Sequence, residues 1–152
     1  MRKLSLKGIA VGAIADIVLT NIAALPLMFF IIHSLKAANV PHEQMSAAVT
    51  EAIMGNPLYF LLSSVTGGIC SIIGGYISAK IAKHDEILNG ALSSILCVGI
   101  GIYAFMGGSG TIPLWRHVIL LILSPALAAF GGLLRQRQMD LRGQSGSTSV
   151  PQ

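Results

Sequence analysis

The apolar residues of this chain fall in runs of about 20 or more, the length an α-helix needs to cross a hydrocarbon core roughly 30 Å thick. The first, GIAVGAIADIVLTNIAALPLMFFIIH over residues 8–33, holds a single charged side chain, Asp16. In lipid every backbone polar group must be satisfied internally, so unbroken runs of this kind select helices. The predicted class is all-α: a polytopic membrane protein with four transmembrane helices in an antiparallel bundle. The helices are expected at about 8–33, 57–82, 87–106 and 114–134, within one domain over 1–137.

Composition agrees with that class. Hydrophobic residues make up 53% of the chain and charged residues only 11%, far from the soluble average. The net charge of +4 and pI near 9.4 invite a nucleic-acid reading. The basic residues, however, sit in small groups beside the apolar runs, where topology explains them, so no nucleic acid is expected as a partner. The opening MRKLSLKG and the run after it resemble a signal peptide in outline. That run is too long, carries Asp16 and ends in bulky residues without a small-x-small cleavage site, so it reads as a retained first helix.

Between the first two runs, Pro41 suits a first helical turn, and Met45, Val49, Ala52 and Ile53 share one face. A short amphipathic helix over about 41–54 follows, too polar to cross and placed at the outer surface. In the second run Gly67 and Gly68, then Gly74 and Gly75, recur seven residues apart, with Ser64, Ser71 and Ser78 in the same phase. Gly90, Ser94, Cys97, Gly101, Ala104 and Gly108 continue such a seam in the third run, and Ser124, Ala128 and Gly132 in the fourth. Small side chains let helices approach closely in lipid, so helices 2 and 3 are expected to form a tight hairpin and Gly12 to help pack helix 1. Lys80 and Lys83 close one helix while Asp85 and Glu86 open the next, complementing the helix dipoles. Residues 138–152 are polar and Gly/Ser-rich and read as a disordered tail.

Orientation follows from the cations. Arg2, Lys3, Lys7, Lys80, Lys83, Arg135, Arg137 and Arg142 fall on one side, and only Lys36 and Arg116 on the other. The first side is therefore cytoplasmic, with both termini inside. Phe29, Phe30, Tyr59, Phe60, Tyr103, Phe105 and Trp115 gather at the opposite boundary, as an aromatic belt does.

Asp16 is the residue with chemistry to explain. Eight residues past Gly8 it lies roughly 12 Å into the core, where an unpaired charge costs at least about 2.5 kcal/mol. Lys80 is the expected partner, with Tyr76 and Ser94 at similar depth and Thr20 and Asn21 beside it on the same helix. Together Asp16, Thr20, Asn21, Tyr76, Lys80 and Ser94 form the candidate polar cluster. As a functional group Asp16 would carry a proton or cation; as a structural one it would pin helix 1 against helices 2 and 3. The lack of a second intramembrane acid favours the pin.

Other chemistries find little support. The glycine-rich 107–113 segment, GGSGTIP, lacks the Lys-Ser/Thr ending of a phosphate loop. His33, His42, His84 and His117 show no ligand spacing, and Cys70 and Cys97 form no CxxC pair, so no metal or cofactor is expected. No histidine shares the depth of the membrane serines, which argues against an enzyme.

The segment GGYISAKIAKHDEILNGALSSIL over 74–96 resembles the GGYxAARxA, short turn and xxGxxxxxL pattern of small bacterial four-helix membrane proteins. Their first helix often carries an intramembrane Asp with Ser or Thr four residues on, as Asp16 and Thr20 stand here; Lys80 occupies a position that is often Arg. The resemblance implies that fold and a location in the bacterial inner (cytoplasmic) membrane, with no activity attached. The leading functional expectation is a structural or accessory subunit that assembles with itself, as a homo-oligomer, or with a larger membrane complex. The alternative is a small oligomeric transporter or channel using Asp16.

Overall fold

Ser5 starts the first helix: its Oγ accepts the Gly8 backbone N–H at 3.2 Å, and α1 runs Leu6–Ala37. The computed structural model describes residues 4–95, 98–99, 102–103 and 114–147. A 3-10 turn, His42–Gln44, leads into α2 (Met45–Gly55), so Pro41 stands ahead of the turn in extended backbone and not inside the first helical turn. Asn56 then caps α3 (Pro57–Ala82) by accepting from Leu58 and Tyr59, with Pro57 at the position where a missing N–H costs nothing. The chain reverses through Lys83 and Asp85, both left-handed, into α4 (Glu86–Ser93), and α5 runs Leu114–Ser147. The described residues are all-α, and Pro26 and Pro125 sit inside their helices without ending them.

Several expectations change. Helix α5 continues to Ser147, so the segment expected to be disordered from 138 is helical through 147. Gln136, Gln138, Met139, Leu141 and Arg142 are good helix formers, and Gln138 is held to α3 by Tyr76. The third run, expected as one helix over 87–106, is α4 through Ser93, breaks in a turn at Ser94, and is helical again at Ile95, Val98, Gly99, Ile102 and Tyr103. Gly101 and the 107–113 segment lie outside the described residues. Asp85 makes no side-chain cap; Asn89 organises the turn instead.

Packing follows backbone proximity at small residues. An added Cβ at Gly12 would meet Ser78 Cβ at 2.5 Å and Gly74 O at 2.7 Å, and one at Gly74 would meet Asp16 Cβ at 2.8 Å. Gly8 packs on Ser78 and Ala82, so numbering rises on α1 as it falls on α3 and the pair is antiparallel. Gly75 and Gly131 lock α3 against α5, facing the Ala128 and Ile72 carbonyls. Gly90, expected to complement α3, packs on Ala128 and Gly132 and so stands against α5, while Cys97, Gly101, Ala104 and Gly108 of the same seam lie outside the described residues. Among the described residues α1 and α5 both pack on α3 without packing on each other, and α4 contacts all three.

Asn89 is fully buried and ties the start of α1, α3 and the α3–α4 turn to α4. Its Oδ1 accepts from the Ser5 N–H at 2.9 Å, its Nδ2 donates to the His84 and Asp85 carbonyls, and its own carbonyl accepts from Ser78 Oγ. Asn89→Ala leaves the Ser5 amide and two turn carbonyls without these partners, at about 1–3 kcal/mol for each group left unsatisfied. A lower midpoint of thermal unfolding in detergent is the expected result.

Polarity in the fold is inverted relative to a water-soluble domain. Buried positions hold small or polar residues such as Ala13, Asp16, Ser71, Ser78, Ser93 and Ala128. Ile14, Ile22, Leu25 and Phe29 on α1 and Leu61 and Ile69 on α3 are each more than half exposed. Helices α1 and α3 are long and apolar enough to cross a membrane, and only 11% and 22% of their apolar windows are buried, unlike the core helix of a soluble protein.

Candidate functional site

Asp16 sits at the α1–α3 contact because Gly74 lets the two backbones close on its Cβ. It is 3% exposed. Ser71 Oγ lies 3.1 Å from Asp16 Oδ2 and 3.4 Å from Oδ1, and Thr20 Oγ1 donates to Oδ1 at 3.3 Å. A carboxylate is an acceptor only, so hydroxyl donors from two helices stabilise its charge. Thr20 reaches it from one turn along α1, at the i, i+4 spacing that stacks side chains on one helical face.

The carboxylate borders a cavity of about 380 Å³. Its walls come from α1 at Ile17, Thr20 and Asn21, from α3 between Phe60 and Ser71, and from α5 at Leu123, Ser124 and Leu127. Met54 of α2 contributes at the far end, so the cavity extends along α3 from the amphipathic helix to Asp16. Eleven residues separate Phe60 from Ser71, roughly 16 Å of helix. Gly67 helps to form it: an added Cβ there meets nothing within 4 Å, while Gly68 lies against Leu127. Gly67 is therefore a lining residue more than a packing one.

The expected cluster is only partly assembled. Asp16 and Thr20 are hydrogen-bonded, and Asn21 lines the same cavity while donating from Nδ2 to the Ile17 carbonyl at 2.7 Å. Tyr76 instead donates to Gln138 Oε1 at 2.6 Å, which also accepts from Arg135 at 2.9 Å, a clasp between α3 and α5. Lys80 is exposed, and Ser94 donates back to the Ala91 carbonyl. The reason is azimuth. Lys80 follows Ser71 by nine residues, which at about 100° per residue puts it on the opposite side of α3, and it also lies about 13 Å further along the axis. The signal for Ser71 was present in its phase with Gly74 and Ser78, but that phase also fits simple packing, the role sequence reasoning assigned to it.

Among the described residues no three His, Cys, Asp or Glu side chains converge as a metal site would require. Cys70 is buried and free, and Cys97 lies outside the described residues. Comparison of the chain with protein-family models, with curated proteins and with solved structures finds no match in any of the three.

Proposed function

We propose that this chain is a multi-pass protein of the cytoplasmic membrane, a four-span antiparallel bundle with both termini inside, that binds and passes a small polar or cationic solute at Asp16. One observation carries the reading: a buried carboxylate, held by hydroxyls from two helices, borders a cavity that extends toward α2. Intramembrane carboxylates that face a cavity mark ion and proton paths more often than lipid-facing ones, which are too costly to keep. The low burial of α1 and α3 and the clustering of cations at one end support the placement. A single four-helix chain is small for a carrier, so an oligomer is the working unit.

The structural or accessory-subunit reading keeps one favouring observation, the wide apolar surface of α1 and α3 available to lipid or to other helices. The small-residue seams lend it little, because their described glycines are largely spent within the chain: Gly12 and Gly74 between α1 and α3, Gly75 and Gly131 between α3 and α5, Gly90 and Gly132 between α4 and α5. Reconstituted proteoliposomes separate the two. Solute- or proton-coupled current in the wild type that Asp16→Asn removes is the expected result; no current beyond empty liposomes favours the accessory role, and a current equal in both proteins shows that Asp16 does not carry the solute.

A further inference from the structure

Four polar side chains around Asp16 spend hydrogens on the protein itself. Thr20 and Ser71 both donate their hydroxyl hydrogens to the Asp16 carboxylate, Ser63 donates to the Phe60 carbonyl at 3.0 Å, and Asn21 spends an N–H on Ile17. A hydroxyl has one hydrogen and two lone pairs, so each hydroxyl that gives its hydrogen to the protein offers the cavity only acceptors. The oxygens of Thr20, Ser71 and Ser63, the Asn21 amide oxygen and the Asp16 carboxylate therefore offer acceptors, and although Ser64, Ser124 and the second Asn21 N–H add donors to the wall, the lining is acceptor-rich beside Asp16. Such a lining selects a ligand that brings hydrogen-bond donors.

Charge and size narrow the class. A single carboxylate matches one positive charge, whereas a calcium-like cation takes six to eight oxygen ligands, commonly from several carboxylates. At about 380 Å³ the space is within the range of small-molecule sites and far larger than a bare alkali ion. Ile17, Phe60, Leu123 and Leu127 make much of the remaining wall apolar. Phe60 lies too far along α3 to meet a charge held at Asp16, so the apolar part of the ligand extends toward the α2 end.

We propose that the Asp16 cavity recognises an organic ammonium ion with N–H donors and an apolar body, an alkyl- or arylammonium. This rests on the reading of the cavity as a solute site and names the solute's chemistry. The ammonium sits against Asp16 and the oxygen atoms of Thr20 and Ser71. The hydrocarbon part lies along Leu123 and Leu127.

Calorimetric titration of the full chain in lipid nanodiscs tests it with four probes: benzylammonium, benzyltrimethylammonium, benzyl alcohol and potassium. Saturable binding of benzylammonium is expected, weaker by about tenfold for the quaternary ion that lacks N–H donors, and weaker still for the neutral alcohol. Asp16→Asn should lower benzylammonium affinity by about 10- to 100-fold. Leu123→Trp narrows the cavity without touching the carboxylate and should weaken binding by about tenfold. If Asp16→Asn does not fold, the wild-type probe series and Leu123→Trp still decide. Equal or tighter binding of the quaternary ion would overturn the N–H-donor assignment while leaving a cation site in place. Saturable potassium binding with no benzylammonium binding would likewise overturn the ammonium class but not the solute-site reading. No binding of any probe by folded protein would overturn the assignment, and the proteoliposome current would then decide separately whether Asp16 carries a solute at all.

Discussion

Gly75→Ala is expected to lower the stability of the folded bundle by roughly 1–3 kcal/mol or more, the cost of forcing extra volume into a closed contact. The new methyl group would fall on the Ala128 carbonyl of α5, and backbone on a packed helix has no rotamer by which to move aside. Gly131 faces the Ile72 carbonyl across the same contact, so the two helices cannot separate at one point without loosening the other. Gly67→Ala serves as the control in the same helix. Nothing lies within 4 Å of its added Cβ, so it should be neutral or stabilise by about 0.5–1 kcal/mol through helix propensity. Equilibrium unfolding in mixed detergent micelles checks both, and a Gly75→Ala midpoint equal to that of Gly67→Ala would show that α3 and α5 do not meet there.

The second large effect belongs to Asp16. Asp16→Ala takes the acceptor from the Ser71 and Thr20 hydroxyls in a buried setting, which costs about 1–3 kcal/mol per unsatisfied group. Asp16→Asn keeps the size and an acceptor oxygen while removing the charge, so its effect should be small on folding and about 10- to 100-fold on solute affinity or flux. Ser71→Ala is informative beside them, since it deletes a donor from α3 and leaves the carboxylate in place. A solute site predicts a smaller loss of flux for Ser71→Ala than for Asp16→Asn, with both proteins folded. A purely structural pin predicts that folding falls in both variants and that flux per folded molecule does not change.

The helical architecture was legible because its signals are local. The Asn56-Pro57 pair sets the start of α3 by capping and fixed φ, and the long apolar runs mark α1 and α3 without reference to any partner. The seams of Gly and Ser residues announced close approach, which Gly12, Gly74, Gly75 and Gly90 make and Gly67 does not, yet their partners were not readable. A small residue shows that something approaches, and only three-dimensional placement shows that Gly90 meets α5 and not α3. The same limit applies at the site. Asp16 and Thr20 stand out from the sequence as a polar step at i, i+4 in an apolar helix, but depth alone suggested Lys80 as the partner. The angular position around α3 decided for Ser71, because Lys80 faces away and is exposed. The extension of α5 to Ser147 was missed because the Gly and Ser residues beyond Arg142 outweighed the preceding run of helix formers.

The cavity beside Asp16 runs to Met54 of α2, so a solute should reach the carboxylate from the α2 end of the bundle. A single cysteine at Gly67 in a background lacking Cys70 and Cys97 reports on it directly, because Gly67 lines the cavity and has room for the new side chain. Labelling with a small membrane-impermeant thiol reagent in sealed vesicles of known orientation is the measurement. The predicted result is modification from the outer face, slowed by a saturating ammonium ligand, and protection from the cytoplasmic face. A Gly67→Cys thiol that stays unmodified from both faces, or reacts only from the cytoplasm, would contradict entry from the α2 end.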